Sequence, residues 1–245
     1  MMTGRLVAAR FATTGADNRS YKRDKDGKFS SGGSFESRVA GAAAGEGALR
    51  AAPLNRDTED HLTGDFPGFD DFEGTGVPGH VIGNNIAHYG DNGHASVNGV
   101  LRSGGDPMHP PESLPGVLHY SAKSVTDQVT SLDAAMSRSQ LTADVVVHRG
   151  VGDPAKVFGA TSDLTGLRFR DHGYASTTTS GAASGEFTGN RTGVQMRILV
   201  PKGTGAISSF GLDRTELLLD RDLSFVVHRD YDVGGIRTLD VEVVP

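Results

Sequence analysis

The sequence has no cysteine, no long apolar run and no excess of basic residues, and each absence excludes a class of protein. Without cysteine, the chain forms neither disulfides nor thiolate metal sites. No apolar stretch reaches the roughly 20 residues that a transmembrane helix needs, and the apolar residues 6–9 are too few for the core of a signal peptide. With 24 Lys and Arg against 30 Asp and Glu, the net charge of -6 argues against a general nucleic-acid binder.

Motifs for phosphate loops and metal sites are missing as well. No Gly-x-Gly-x-x-Gly follows a strand pattern and no Walker-type Gly-Lys-Ser/Thr is present, so a phosphate loop would not hold a nucleotide here. The nine His form no His-x-x-x-His or Glu-x-x-His pair, and we expect no metal site. The hydrophobic content of 36% and the 34 glycines predict that part of the chain lies outside the packed core.

Composition divides the chain near residue 76. Residues 1–34 are polar without periodicity, residues 36–51 are rich in Ala and Gly and suit a frayed helix or a linker, and residues 58–76 are acidic with no Lys or Arg. The acidic segment is either a linker or a docking arm whose three Phe lie on a partner or on the chain's own domain. We therefore expect residues 1–76 to form an N-terminal extension that is disordered and flexible, or at most partly ordered. Residues 77–245 are expected to form one domain.

Helical periodicity marks the first part of this domain. Gly90 is the predicted end of the first helix, and Ser124 is the predicted N-cap of a later one. We interpret the apolar stripe of the later helix as core packing rather than as a ligand site. The two stripes consist of Ile82, Ile86 and Tyr89 in the first helix, and Val125, Val129, Leu132 and Met136 in the later one.

Strand patterns dominate from residue 141 onward. Residues 145–148 form a mostly apolar run, residues 194–200 alternate until Pro201, and residues 236–244 form the last strand. Asp220-Arg221-Asp222, between two further strand patterns, has the length of a hairpin turn. Because the helices come first and no βαβ rhythm follows, the sequence indicates an α+β domain with antiparallel sheets.

Three short motifs in this strand-rich half place an Arg, a Ser and a Glu on separate strands. The guanidinium of Arg149 matches phosphate oxygens in a bidentate way, and Gly150 lets a ligand approach the backbone closely. Ser176 opens a run of hydroxyl residues that can hydrogen-bond a carboxylate on a neighbouring strand. Glu216 stands before three Leu, where a carboxylate is costly unless it is paired. Each alone suits an ordinary structural role, but together they suit cleavage of a diphosphate-bearing sugar substrate.

Four motifs in a fixed order carry a resemblance over about two-thirds of the chain. They are Tyr89…Asn98-x-x-Leu101-Arg102, His148-Arg149-Gly150, Gly173-Tyr174-x-Ser176-Thr177-Thr178 and Glu216-Leu217-Leu218-Leu219…Phe225. From about residue 81 onward the sequence resembles the mono-ADP-ribosyltransferase family of the Arg-Ser-Glu type. No single motif is specific to that family, but the ordered set is.

The resemblance implies a pair of antiparallel sheets around a cleft that holds NAD, with Arg149, Ser176 and Glu216 as catalytic residues. Ser176 would orient Glu216, which would stabilise the positive charge that develops on the ribose as neutral nicotinamide leaves. The substrate NAD would be bound by Arg149, Gly150, Ser176, Phe187 and Arg191. The acceptor would be recognised by the turn that carries Phe210 and Arg214.

Arg214 departs from the family, which carries Glu or Gln two residues before the catalytic Glu. An Arg is permanently protonated and cannot act as a base, so an arginine acceptor is in doubt. The predicted function is transfer of ADP-ribose from NAD to a macromolecule, a protein rather than a nucleic acid. The alternatives are an NAD glycohydrolase on the same scaffold and a catalytically inactive phage structural or interaction protein. A toxin-like or phage-encoded protein leaves three locations open: the cytoplasm, the virion, or a host cell into which it is delivered.

Overall fold

The computed structural model describes residues 34–43, 79–111, 121–141, 143–159, 162–179, 193–208 and 216–245. The helices are α1 (Phe35–Ala43), α2 (Gly79–His88), α3 (His94–Arg102), α4 (Ala122–Arg138) and α5 (Pro154–Phe158). The strands are β1 (Val145–Val151), β2 (Arg168–Asp171), β3 (Ala175–Thr178), β4 (Val194–Val200), β5 (Ala206–Ser208), β6 (Glu216–Leu219), β7 (Leu223–Val233) and β8 (Ile236–Val244). Four of these helices precede every strand, which confirms the α+β prediction. Within the described ranges, none of the helices has the length and apolar composition that a membrane span requires.

Helices α2 and α3 are joined without a break by a π-helical turn, Tyr89–Gly93. The predicted helix end at Gly90 is therefore wrong. Gly90 does not adopt the positive φ of a helix-ending glycine. Instead, the helix continues through one wider turn with i→i+5 hydrogen bonds, which contains one residue more than an α-helical turn. The N–H of His94 donates to the carbonyl of Tyr89 as α3 begins. This insertion keeps the Tyr89 ring in the core, where only 3% of the residue is exposed.

Helix α4 begins one turn earlier than the sequence suggested. Ser121, in an extended conformation, is the N-cap, and its hydroxyl accepts a hydrogen bond from the Ser124 N–H at 3.1 Å. The predicted N-cap at Ser124 is wrong because Ser124 already lies in the first turn. The predicted apolar stripe is confirmed, since its four members are all at most 1% exposed: Val125, Val129, Leu132 and Met136.

The eight strands follow the order β2-β7-β8-β4-β1-β3-β6-β5. Seven residue pairs join β1 to β4, whereas among the described residues β1 and β3 meet at the pair of His148 with Thr178. The strands therefore form a five-stranded group and a three-stranded group that meet at this pair. Pairing is antiparallel except between β4 and β8, which run parallel because the long β7–β8 hairpin inserts β8 beside β4.

The turn at residues 220–222 is not a hairpin turn, so that prediction is wrong. Strand β6 lies between β3 and β5 in the smaller group, whereas β7 lies between β2 and β8 in the larger one. The turn carries the chain from one group to the other, and Asp222 takes a positive φ of 61° there. The length of a loop between two strand patterns does not determine whether these two strands pair with each other or with other strands of the sheet.

Two hydrophobic clusters cover opposite faces of β6. Leu217 and Leu219 belong to a cluster built mainly from side chains of the strands. Leu218 belongs to a second cluster, built mainly from side chains of α2, α3 and α4. Successive side chains of a strand point to opposite faces, so a strand that is covered on both sides needs apolar residues at every position. This explains the unbroken Leu-Leu-Leu run after Glu216.

Helix α1 packs on the outer face of the larger strand group. Its Val39 and Ala42 are buried against Leu199. Its Glu36 forms ion pairs with Arg197 at 3.2 Å and with Arg229 at 2.5 Å. Residues 35–43 are thus a helix rather than a linker, within the segment predicted to be flexible or partly ordered. The acidic segment, residues 58–76, lies outside the described residues, and the boundary near residue 76 stays a prediction.

Candidate active site

Ser176 and Glu216 form a direct hydrogen bond between two neighbouring strands. Thr178 pairs with Glu216 and Ser176 with Leu218, so Ser176 is the diagonal neighbour of Glu216 on the same face. The Ser176 hydroxyl donates to Glu216 Oε1 at 2.5 Å. Ser176 is exposed and Glu216 is half-buried, which leaves the carboxylate open to a ligand from the solvent side. The bond restricts the Glu216 rotamer, as the sequence led us to expect.

Arg149 lies near the end of β1 and is paired with a buried carboxylate that the sequence analysis had not singled out. Its Nη1 donates to Asp171 Oδ2 at 3.2 Å, and its side chain is 22% exposed. Asp171, the last residue of β2, has a side chain that is 5% exposed. Arg149 therefore has a structural ion pair, and its side chain is still partly exposed.

Asp171 also binds Arg102, the last residue of α3. Arg102 Nε donates to Asp171 Oδ1 at 2.8 Å and Arg102 Nη2 donates to Asp171 Oδ2 at 3.0 Å, a bidentate pair. Burial raises the pKa of Asp171, but the charges of Arg149 and Arg102 outweigh burial and hold that pKa below its usual range. One carboxylate thus fixes two guanidiniums beside each other, and the cluster keeps one net positive charge.

Asn98 fixes α3 against the chain that leads into β3. Its side-chain amide binds both backbone groups of Tyr174, accepting from the N–H at 2.9 Å and donating to the carbonyl at 3.2 Å. Asn98 Nδ2 also donates to the Tyr89 hydroxyl at 3.0 Å. Burial raises the pKa of Tyr89 to about 12, so this hydroxyl stays protonated. A Cβ at Gly173 would lie 2.6 Å from Asn98 Oδ1, which explains the glycine.

The predicted site residues therefore fall into two contacting groups. Ser176 bonds to Glu216, and Arg149 is joined to Arg102 through Asp171. Within the described ranges, no hydrogen bond joins Arg149 to Ser176 or to Glu216. The groups are linked where β1 meets β3, because Arg149 follows His148 and Ser176 precedes Thr178 by two residues.

The other predicted site residues divide between β1 and the undescribed ranges. Gly150 follows Arg149 in β1 and pairs with Gln195 of β4. Phe187, Arg191, Phe210 and Arg214 lie outside the described residues, so their roles stay predictions. No group of three or more potential metal ligands occurs in the part of the chain that the structure describes.

Sequence reasoning had missed Asp171 and had used Arg102 only as part of a motif. The sequence did contain a signal, because Arg102 and Arg149 stand at or near the ends of apolar elements. A guanidinium in such a place needs a carboxylate partner. Asp171 ends a strand two residues before Gly173, the residue that the close approach of α3 requires. The pairing joins a helix to two strands that are far apart in the sequence, so sequence spacing alone could not find it.

A model of the ADP-ribosyltransferase exoenzyme family matches residues 83–239, more than half of the chain. This chain belongs to the ADP-ribosyltransferase exoenzyme family. It is therefore an NAD-dependent mono-ADP-ribosyltransferase of the toxin-like kind, and NAD is its substrate. The match confirms the family and the enzyme class that the ordered motifs had predicted. No curated protein sequence matches the chain.

Solved structures of ADP-ribosyltransferase toxins share the fold. The C3 exoenzyme of Clostridium limosum is 18% identical over 78% of this chain and 95% of that chain, with a TM-score of 0.53. C3stau2 from S. aureus, solved with NAD, is 19% identical over 77% and 96%, with a TM-score of 0.54. Exoenzyme S from Pseudomonas aeruginosa, solved with human 14-3-3 protein beta and Carba-NAD, is 20% identical over 86% and 88%, with a TM-score of 0.51. At such identities the likeness establishes the fold.

Proposed function

We propose that this ADP-ribosyltransferase cleaves NAD at the Ser176–Glu216 pair and transfers the ADP-ribose to a protein. The hydrogen bond from the exposed Ser176 to Oε1 of the half-buried Glu216 is the observation that carries the proposal. Nicotinamide leaves as a neutral ring, so no general acid is needed. The ribose gains positive charge as the bond to nicotinamide breaks, as in glycoside cleavage. A carboxylate already fixed in place stabilises that charge without reorganisation.

The arginine pair supports a role in binding the diphosphate of NAD. Arg102 and Arg149 are oriented by Asp171, and each is about one-quarter exposed, with side-chain exposures of 24% and 22%. Such preorganised guanidiniums bind phosphate oxygens with little entropic cost. The single net positive charge left by Asp171 favours an anionic ligand. Arg149, Ser176 and Glu216 would then line one cleft, with the diphosphate near the arginines and the ribose near Glu216.

The remaining assignments follow the family pattern. Gly150 would hold the nicotinamide amide with its backbone, Phe187 would stack on the ring, and Arg191 would contact NAD. Phe210 and Arg214 would contact the acceptor. A protein acceptor is supported by the toxins of the same fold, one of which was solved in complex with human 14-3-3 protein beta. By the same likeness we propose action inside a host cell after delivery, whereas association with a phage or virion stays a prediction from the sequence.

NAD hydrolysis is the second candidate function, and one residue favours it. The family carries Glu or Gln where this chain has Arg214, and a permanently charged Arg cannot take a proton from an acceptor. Water would then attack the ribose in place of a protein side chain. In that case free ADP-ribose would accumulate in step with nicotinamide, and no protein would carry the label.

The decisive experiment compares the wild type with Glu216→Gln in a host lysate that contains NAD labelled in the adenine. Nicotinamide release, labelled protein and free ADP-ribose are measured together. We expect Glu216→Gln to lower nicotinamide release by about 10²–10³-fold or more, the scale of losing one preorganised transition-state contact. NAD should still bind, because the amide keeps the size of the carboxylate, and a shift of Tm with NAD measures that binding.

Glu242→Gln is the matched control, since it makes the same chemical change on β8, where Glu242 binds Arg38 and His228 on the α1 side. This variant should keep turnover under conditions in which it is folded. Full activity of Glu216→Gln would refute the assignment of Glu216. Label on a protein would establish the transferase, whereas label confined to free ADP-ribose would establish the glycohydrolase.

A further inference from the structure

We infer that Asp133, on helix α4, is a positioning residue that holds the Ser176–Glu216 pair in register. Asp133 Oδ1 accepts hydrogen bonds from the Tyr174 hydroxyl at 2.6 Å and from Arg221 Nε at 2.8 Å. Asp133 Oδ2 accepts from Arg221 Nη2 at 2.9 Å. The inference rests on the proposed roles of Ser176 and Glu216, and it adds a residue to that site that lies on another element.

Tyr174 and Arg221 flank the same end of the short β3–β6 ladder. Tyr174 directly precedes β3, and Arg221 follows β6 by two residues. The first residue of β3, Ala175, pairs with the last residue of β6, Leu219. One carboxylate on α4 therefore ties together the entry to β3 and the exit from β6.

The ladder needs such a tie because it is short. Four residue pairs join β3 to β6, from Ala175–Leu219 to Thr178–Glu216. Ser176 reaches Glu216 diagonally, so a small sliding of one strand along the other changes the Ser176–Glu216 distance directly. A slip of one residue would send one of the two side chains to the opposite face.

Helix α4 is a rigid point of attachment for both strands. Asp133 follows Leu132, which is fully buried in the helical cluster at 0% exposure. The Tyr174 ring is also at 0% exposure, so its hydroxyl requires a partner, which Asp133 provides. Burial raises the pKa of Tyr174, and the Asp133 carboxylate raises it further, so the hydroxyl remains a donor.

A second connection ties the same two chain segments together. Arg221 Nη1 donates to Asp222 Oδ2 at 3.1 Å, and His172 Nδ1 lies 2.7 Å from Asp222 Oδ1. His172 is two residues before Tyr174. Asn98 on α3 also binds the Tyr174 backbone, and the Tyr174 hydroxyl also donates to the Val129 carbonyl at 3.3 Å. Of these three partners, Asp133 is the one that also binds Arg221, so its loss frees the exit from β6 from α4.

The test is Asp133→Asn in the full chain, measured by nicotinamide release over a range of NAD concentrations. The amide cannot accept the bidentate pair from Arg221, but it has the size of the carboxylate. We expect kcat to fall by about 10–100-fold, the scale of a displacement of about 1 Å at a reacting group, while the KM for NAD changes less than about twofold. Tyr174→Phe removes one of the three hydrogen bonds and should give a smaller loss of kcat.

Asp240→Asn is the matched control. Asp240 is a buried carboxylate, 0% exposed, that accepts from Arg197 and Arg229 beneath α1. Its loss should lower Tm yet leave kcat unchanged at a temperature where both variants are folded. If Asp133→Asn behaves in the same way, Asp133 is merely structural and the inference is overturned.

Hydrogen exchange separates this inference from the proposed function. Asp133→Asn should speed exchange of the amides of β3 and β6 selectively, relative to those of β4 and β8. If the wild type releases no nicotinamide, the proposed function fails, but faster exchange in β3 and β6 of Asp133→Asn would still support the role of Asp133 in holding the two strands together. Unchanged exchange in those strands would overturn it, whatever the activity.

Discussion

Replacement of Asp171 by Asn tests how far one buried carboxylate organises the proposed NAD site. Asp171 accepts four hydrogen bonds: two from Arg102, one from Arg149 and one from the Gly173 N–H at 3.0 Å. Asn retains one acceptor oxygen but presents an NH2 group to a guanidinium. Two arginines would then lose their shared counter-charge while remaining partly buried.

The expected loss of stability follows from burial. Removing one partner of a buried ion pair costs about 3–5 kcal/mol, and the partial exposure of both arginines reduces this to about 2–4 kcal/mol. For a chain of this size we expect a fall in Tm of about 4–16 °C. Thermal unfolding followed by circular dichroism at pH 7 measures the change.

The loss should also depend on pH. The pKa of folded Asp171 is held below its usual range, so the carboxylate stabilises the fold above about pH 4 and this stabilisation is lost as the pH falls through the lower folded pKa. Asn does not titrate, so the difference in stability between wild type and Asp171→Asn should shrink as the pH approaches 2.

The effect on NAD should appear in KM. Once Arg102 and Arg149 lose their fixed orientation, we expect the KM for NAD to rise by about tenfold, equivalent to about 1.4 kcal/mol of lost binding. Asp240→Asn serves again as control, because it should lower stability without changing KM. A lower KM in Asp171→Asn would refute the reasoning, since it would mean that Asp171 competes with the diphosphate rather than orienting the arginines.

Two further predictions concern packing and acid stability. Gly173→Ala should lower the free energy of unfolding by about 1–3 kcal/mol, because the added Cβ would meet Asn98 Oδ1 at 2.6 Å; unchanged chemical denaturation would contradict this close packing. Burial raises the pKa of Glu242, but hydrogen bonds from His228 and Arg38 outweigh burial and lower it. Glu242→Gln should therefore destabilise the chain at pH 7, and the loss should shrink as the pH falls below about 4; a loss that does not change with pH would contradict the pairing.

The helical half shows where sequence patterns suffice. The stripe of α4 was predicted residue by residue, because burying one face of a helix requires apolar residues at a fixed period. The predicted ends of the helices were wrong, because Gly90 lies inside a π-helical turn and the N-cap of α4 is Ser121 rather than Ser124. Capping depends on the backbone conformation of one residue, and several neighbouring residues of suitable type compete for it.

The strand half shows the opposite balance. Most strand positions followed from apolar runs and alternation, but the partner of each strand did not. The predicted hairpin at residues 220–222 is wrong, and β4 pairs in parallel with β8, although three strands lie between them in the sequence. The partner of a strand depends on which strand edges are available in the complete sheet. A local sequence pattern contains no information about that availability.

By itself the sequence determined the class of fold, the enzyme family and the identity of Ser176, Glu216 and Arg149 as candidates, because motif order and periodicity are properties of the chain. Only the tertiary structure decided that Ser176 bonds to Glu216, that Asp171 joins Arg102 to Arg149, and that Asp133 ties two strand ends together. Each of these contacts joins residues at least 22 positions apart. Such contacts arise from packing of whole elements, which no local sequence signal encodes.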